Sequence, residues 1–258
     1  MCYESSQLAY RIYKDAQRIG ASEEELAELR GKWHDLENDR PQLYYASGFE
    51  HPELLGFTRR HHRLELETFY WGLIPHWVKN EEQALALWNQ TLNARGESIF
   101  EKPYFRDAAQ NERIVLPLTG FYEHQYRLGK SYPYFIQQKN GENMLVGALA
   151  AEWTNEATGE LYRSASIVTT PANTLMAEIH NKPKINGPRM PLLLEEKNVE
   201  QWMSGSEQEA KELLHPNTTI ELKAHTVHPL RGRKSLGNCE QAQEEFSYPQ
   251  VHEDPTLF

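Results

Sequence analysis

Residues 63–70, RLELETFY, set Leu64, Leu66, Thr68 and Tyr70 at every second position, with charged or other residues between them. A period of two belongs to a half-buried strand, because successive side chains of a strand point to opposite faces. Working outward, strand character recurs at Arg113 to Leu118, Tyr132 to Gln137, Met144 to Ala150, Leu161 to Thr169 and Thr219 to His228, with turn chemistry such as Lys139-Asn140-Gly141 between neighbours. The middle of the chain is expected to be mainly β. Nearer the N-terminus the period changes: Leu8, Ile12 and Ala16 predict a helix near residues 6–18. Ser22 with Glu25 reads as a capping box opening a second helix, with Leu26, Leu29, Trp33 and Leu36 on one side. Further helices are predicted over Pro171 to Ile179, with proline in the first turn, and across Glu195 to Leu214, broken near Ser204-Gly205-Ser206. Strands do not alternate regularly with long helices, and no Gly-rich phosphate loop of either common spacing occurs, which disfavours a Rossmann-type parallel sheet. The expected fold is α+β: a curved or barrel-like, mainly antiparallel sheet surrounded by peripheral helices.

The chain has 258 residues, enough for a sizeable core, and no spacer rich in Gly, Ser or Pro divides it, so one domain over 1–258 is expected. Its 39% hydrophobic and 25% charged residues are ordinary for a globular protein and argue against disorder or a fibre. No apolar run approaches the ~20 residues that span a bilayer, and the first twenty residues lack the apolar core of a signal peptide, so a soluble cytoplasmic protein without a membrane partner is expected. The two cysteines, Cys2 and Cys239, stand near opposite ends, which fits neither a disulfide framework nor a cysteine metal site. His61-His62 and His225 with His228 lack companion ligands at a convincing spacing, so neither metal nor cofactor is expected. A net charge of −10 runs against general nucleic-acid binding, so any DNA site must be locally basic.

Five features could carry chemistry. Cys2 follows the initiator Met, and a side chain this small normally permits Met1 to be trimmed, which leaves a 1,2-aminothiol. With reference pKa values of roughly 8 for the amine and 8.5 for the thiol, both nucleophiles are accessible near neutrality. Such a pair suits an aldehyde: the amine condenses to an imine and the thiol closes on its carbon to give a thiazolidine, helped by proximity. The plain alternative is an incidental, buried Cys. In Thr119 to His124, Glu123 follows an apolar, aromatic run that can raise a carboxyl pKa and make it a proton carrier; a solvated strand-end Glu is the alternative. His180 ends a short predicted helix and could shuttle protons, although any one of eleven His is more often structural. Asn93-Ala94-Arg95 offers an amide for orientation and a guanidinium for phosphate. Trp71 and Trp77 bracket a Gly- and Pro-containing turn and could stack on unpaired bases, or simply pack in the core.

In this order the pieces resemble the SOS-response-associated peptidase (SRAP) family, whose members look like abasic-site-processing proteins. The resemblance rests on Met1-Cys2, Trp71 to Trp77, Asn93 to Glu97, Gly120 to Glu123, Thr169 to Asn173, and Ile179-His180 with Arg189-Met190-Pro191, strongest from about Phe69 to Leu194. It implies that Cys2, bared by removal of Met1, joins the ring-opened sugar of an abasic site in single-stranded or junction DNA as a covalent thiazolidine. Glu123 would assist imine formation and ring closure, His180 would help open the sugar, and Asn93 would orient the terminus or the sugar. Arg95 and Arg189 would serve as DNA contacts. It also implies that removal of Met1 is autocatalytic, with lyase activity as a further possibility; a monomer is favoured, though the sequence leaves oligomeric state open.

Three departures stand out. Where many members carry Gly-Arg after the Cys, this chain has Tyr3-Glu4, which puts a negative charge where a phosphate-binding cation is expected. Seven residues, Lys182 to Pro188, separate His180-Asn181 from Arg189-Met190-Pro191, where the family usually has none. His124 stands where an aromatic commonly follows the Glu, and it stacks on a base less strongly. Two other functions remain open on the residues: a cysteine-dependent peptidase or amidase with His180 as base for Cys2, and a non-enzymatic single-strand binder using Trp71, Trp77 and Arg95.

Overall fold

The computed structural model describes residues 2–39, 42–183 and 187–252. Met1, the side chains of Trp33 and Leu36, and residues 184–186 of the Lys182 to Pro188 segment lie outside the described residues. In chain order the strands are β1 (Glu4–Gln7), β2 (Leu43–Ser47), β3 (Glu53–Arg60), β4 (Arg63–Trp71), β5 (Asn93–Arg95), β6 (Arg113–Leu118), β7 (Gly120–Arg127), β8 (Lys130–Gln138), β9 (Met144–Thr154), β10 (Leu161–Pro171), β11 (Arg189–Pro191), β12 (Leu193–Leu194) and β13 (Leu222–Thr226). Strands β10, β4, β3, β6 and β9 pair in that order, and β9 returns to β10, closing a five-stranded barrel. Its pairs are antiparallel except β10 with β4, where Ser164 faces Tyr70. A second, antiparallel sheet runs β13, β8, β7, β1, β2, and helices lie around the two. The α+β, barrel-like expectation is met.

Closure explains a difference in β4. Leu64 and Leu66 are buried as the alternation predicts, but further along Phe69 and Trp71 are the buried residues, while Thr68 and Tyr70 are only half-buried. The leucines belong to the main cluster beneath the N-terminal helices, and the aromatic pair belongs to a second cluster with Cys2, Leu92 and Ile114. A strand covered on both sides need not keep its large apolar residues on one parity. Trp71 ends the strand against Gly72, whose φ of +112° and contact with Trp88 exclude a side chain: a Cβ there would lie 2.4 Å from the indole.

The capping box is present as read: Ser22 N–H donates to Glu25 Oε2 at 2.7 Å and Glu25 N–H to Ser22 Oγ at 3.2 Å, opening the helix Glu23–Asp39. The break at Gly205 is also present, between helices Val199–Ser204 and Glu207–Glu212. Two helical expectations shift. The first helix begins at Ile12, after a 3-10 turn, because Glu4–Gln7 is claimed by the sheet. The helix expected from Pro171 begins at Thr174, capped by Asn173, whose side chain accepts from Met176 N–H; Pro171 ends β10.

Strand β1 is polar (ESSQ) yet wholly buried, inside the second sheet between β7 and β2. Gln7 satisfies it across the fold: its amide donates to the carbonyls of Leu55 and Pro117 and accepts from Leu55 N–H at 2.7 Å, tying β1 to the barrel. The result is an N-terminal segment held between β2 and β7, with Glu4 opposite both Ser47 and Tyr122. Among the described residues no helix is long and apolar enough to cross a membrane, and no group of three or more His, Cys, Asp or Glu could hold a metal ion.

Candidate active site

Because β1 is pinned on both edges, Cys2 is delivered to a defined place at the end of the second sheet. The residue is buried, and its thiol points to Glu4 O at 3.6 Å. Asn93, at the start of β5, donates its side-chain amide to the Cys2 carbonyl at 2.7 Å. Strand β5 is placed by parallel pairing with β10, Asn93 opposite Ile167, and Trp71 supports it from below by donating its indole N–H to Leu92 O at 2.9 Å. Asn93 Oδ1 is buried and has no hydrogen-bond partner among the described residues. An orphaned buried acceptor costs on the order of 1–3 kcal/mol, so this oxygen is suited to a donor brought by a bound molecule.

Glu123 lies within β7, opposite Tyr134 of β8, rather than at a strand end. Gly120 permits that close approach of β7 to β8, since a Cβ there would lie 2.3 Å from the Phe135 ring. One Glu123 oxygen accepts from His124 N–H at 2.9 Å, and the other lies 3.7 Å from His180 Nδ1. His180 follows the helix Thr174–Ile179, and its Nδ1 lies 3.1 Å from both the N–H and the carbonyl of Arg189. A bare Nδ1 accepts from that N–H and a protonated Nδ1 donates to that carbonyl, so the ring can change protonation without losing a partner.

Charge and burial act on these groups together. Burial, reinforced by the Glu123 carboxylate, pushes the Cys2 thiol well above its ordinary range. With Met1 still attached, these surroundings favour the protonated thiol. Burial pushes His180 below the usual imidazole value against the upward pull of Glu123, which favours the neutral ring.

The four residues expected to carry catalysis are thus linked to one another: Asn93 to Cys2 by a hydrogen bond, and Glu123 to both Cys2 and His180 by its charge. The expected DNA contacts separate. Arg95 is exposed near Tyr3, whose hydroxyl burial and Glu123 push up and Arg95 pulls down. His124 is half-buried, with Nδ1 3.8 Å from Glu4 Oε2. Trp77 is exposed beside Tyr104, ring centroids 6.0 Å apart. Trp71 is fully buried and cannot stack on a base; it is a packing residue. Arg189 is also buried, engaged in two hydrogen bonds to Glu97 at 2.7 and 2.8 Å and others to Thr169, so it holds His180's neighbourhood in place rather than offering its charge to DNA.

Sequence reasoning missed Glu97 and Arg231 as partners in the site. Arg231 Nε and Nη2 each lie 2.9 Å from Glu4 Oε1, so the negative charge of Glu4 is paired rather than bare. The available signal was Arg231-Gly232-Arg233-Lys234, a basic run in an acidic chain.

Comparison with known proteins identifies the family. The family model described as SOS response associated peptidase (SRAP) matches residues 11–232. Abasic site processing protein YoqW of Bacillus subtilis is 30% identical over 164 residues, covering 62% of this chain and 68% of that protein. Abasic site processing protein HMCES of Gallus gallus is 26% identical over 238 residues, covering 81% and 66%. A solved protein structure from Bacteroides thetaiotaomicron superposes with a TM-score of 0.79 at 28% identity, over 95% of this chain and all of that one.

Proposed function

Because this chain belongs to the SOS response associated peptidase family, we propose that it processes abasic sites in single-stranded DNA by forming a covalent thiazolidine through Cys2. The observation that carries the reading is the grip of Asn93 on the Cys2 carbonyl beside the Glu123 and His180 pair. An N-terminal nucleophile is useful only if its backbone is fixed, and here the backbone itself is bound.

The chemistry follows from these groups. With Met1 removed, the Cys2 amine adds to the C1′ aldehyde of the ring-opened sugar, and water leaves as the imine forms. The Cys2 sulfur then adds to the imine carbon, and the thiol proton ends on the ring nitrogen; the net change is aldehyde plus aminothiol to thiazolidine plus water. Glu123, whose charge acts on the thiol, takes its proton as sulfur attacks and returns it to nitrogen. Neutral His180 accepts the C1′ hydroxyl proton as the sugar ring opens and passes it to the departing ring oxygen, and the unpaired Asn93 Oδ1 receives a donor from the terminus or the sugar. A peptidase built on a thiolate and imidazolium pair is less well supported, because burial opposes both charges.

The test is to incubate the processed protein with single-stranded DNA carrying one abasic site and resolve heat-stable adducts on a denaturing gel. Wild type is expected to cross-link and Cys2→Ala to give none. Cys2→Ser, which keeps the amine, is expected to give an adduct only when borohydride reduces the imine. Equal yields from wild type and Cys2→Ala would sink the proposal.

A further inference from the structure

Position 4 places a carboxylate two residues from the nucleophile, against the negative charge of the strand that the proposed function brings there. Glu4 does not meet that strand directly: its side chain is 4% exposed, whereas the Arg231 side chain paired to it is 62% exposed. The Tyr45 hydroxyl donates to the same Glu4 oxygen at 3.2 Å, and His124 approaches the other oxygen, so the carboxylate is enclosed on the protein side. Arg231 engages it through Nε and Nη2, and the guanidinium carbon lies 5.8 Å from the centroid of the Phe49 ring. Phe49 is 46% exposed and packs at 5.1 Å against Tyr3, on which the charge of Arg95 also acts. One rim of the site thus interleaves guanidinium, aromatic, aromatic and guanidinium in an otherwise acidic protein.

We propose that Arg231, mounted on Glu4, grips a phosphate of the DNA strand entering the site, beside the exposed ring of Phe49. This rests on the reading of the site as one that takes an abasic strand. A guanidinium fixed along one edge keeps further N–H donors for phosphate and loses less side-chain freedom on binding than a free one. The carboxylate is covered and the cation stands outside it, so the strand meets the positive end of the pair. The acidic residue beside the nucleophile is then a support for a cation supplied from the far end of the chain.

The experiment measures reversible binding of a fluorescent oligothymidylate by anisotropy across a salt series, alongside adduct formation on abasic DNA. Arg231→Ala is expected to flatten the slope of log affinity against log salt by about 0.7, the value for one phosphate contact on a single strand. Since that variant strands the Glu4 carboxylate, the double variant Glu4→Gln/Arg231→Ala, which leaves net charge unchanged, is expected to show the same flattening. Lys139→Ala, remote from the rim and paired with Glu221, serves as the charge control. Slopes for both Arg231 variants equal to wild type, or a slope change matched by Lys139→Ala, would overturn the inference while leaving the cross-linking proposal intact. An Arg231-dependent slope without any adduct from wild type would instead remove the cross-linking proposal alone.

Discussion

The pairs Arg189 with Glu97 and Glu4 with Arg231 sit on the two sides of the candidate site and are built inside out relative to each other. In the first the arginine side chain is 8% exposed and the carboxylate 49%; in the second the carboxylate is 4% exposed and the arginine 62%. The buried partner determines what each pair can do. Arg189 spends its fork on Glu97 and Thr169 and thereby positions the strand whose backbone touches His180. Arg231 is held by one edge and left facing solvent. Two arginines near one site are therefore opposite in kind: one is committed inside the protein and the other keeps a face to solvent.

The most severe way to probe this contrast is to remove each exposed partner and leave the buried one alone. Glu97→Ala strands a buried guanidinium, which cannot shed its charge but keeps its bonds to Thr169; with Glu97 itself half-exposed, the expected loss is about 2 kcal/mol. Arg231→Ala strands a carboxylate that keeps the Tyr45 hydroxyl as a donor, so the expected loss is smaller, about 1 kcal/mol. Urea denaturation of both variants at neutral pH would rank them; equal losses would erase the distinction. Adding Glu4→Gln to Arg231→Ala is expected to recover most of the smaller loss, and failure to do so would mean that Arg231 acts through its packing on Phe49 instead of through charge.

How far the sequence could show this is a matter of distance along the chain. Elements set by neighbouring residues were legible: β6 falls on Arg113–Leu118 as expected, and the Ser22 and Glu25 box caps its helix. Strand β1 was not, because nothing local makes Glu-Ser-Ser-Gln a strand; Gln7 is satisfied by residues 48 and 110 positions away. The same holds for the site. Cys2, Asn93, Glu123 and His180 could be named from their residue types and their resemblance to a family, but which arginine faces solvent could not. The partners are 92 positions apart in one pair and 227 in the other. Arg189 matches a motif that implies a DNA contact, although its burial commits it to Glu97.

The smallest effect expected concerns acid. The hydrogen bonds from Arg189 hold the Glu97 carboxyl below the usual carboxylate range, against a lesser upward push from burial. A carboxyl whose folded value lies below its unfolded value adds stability that is complete above the unfolded value near 4.5 and disappears as pH falls through the folded one. The stability of wild type should therefore decline between pH 5 and pH 3 more steeply than that of Glu97→Ala, which has no such proton to take up. The slope difference is kept modest by the half-exposed position of Glu97, where solvent screens its charge. The measurement is urea midpoints at half-unit pH steps, and parallel curves for the two proteins would mean that Glu97 and Arg189 are neighbours without coupling. In that case Arg189 would be held by Thr169 alone, and the contrast with Arg231, which depends on a carboxylate consuming one guanidinium and displaying the other, would lose its first half.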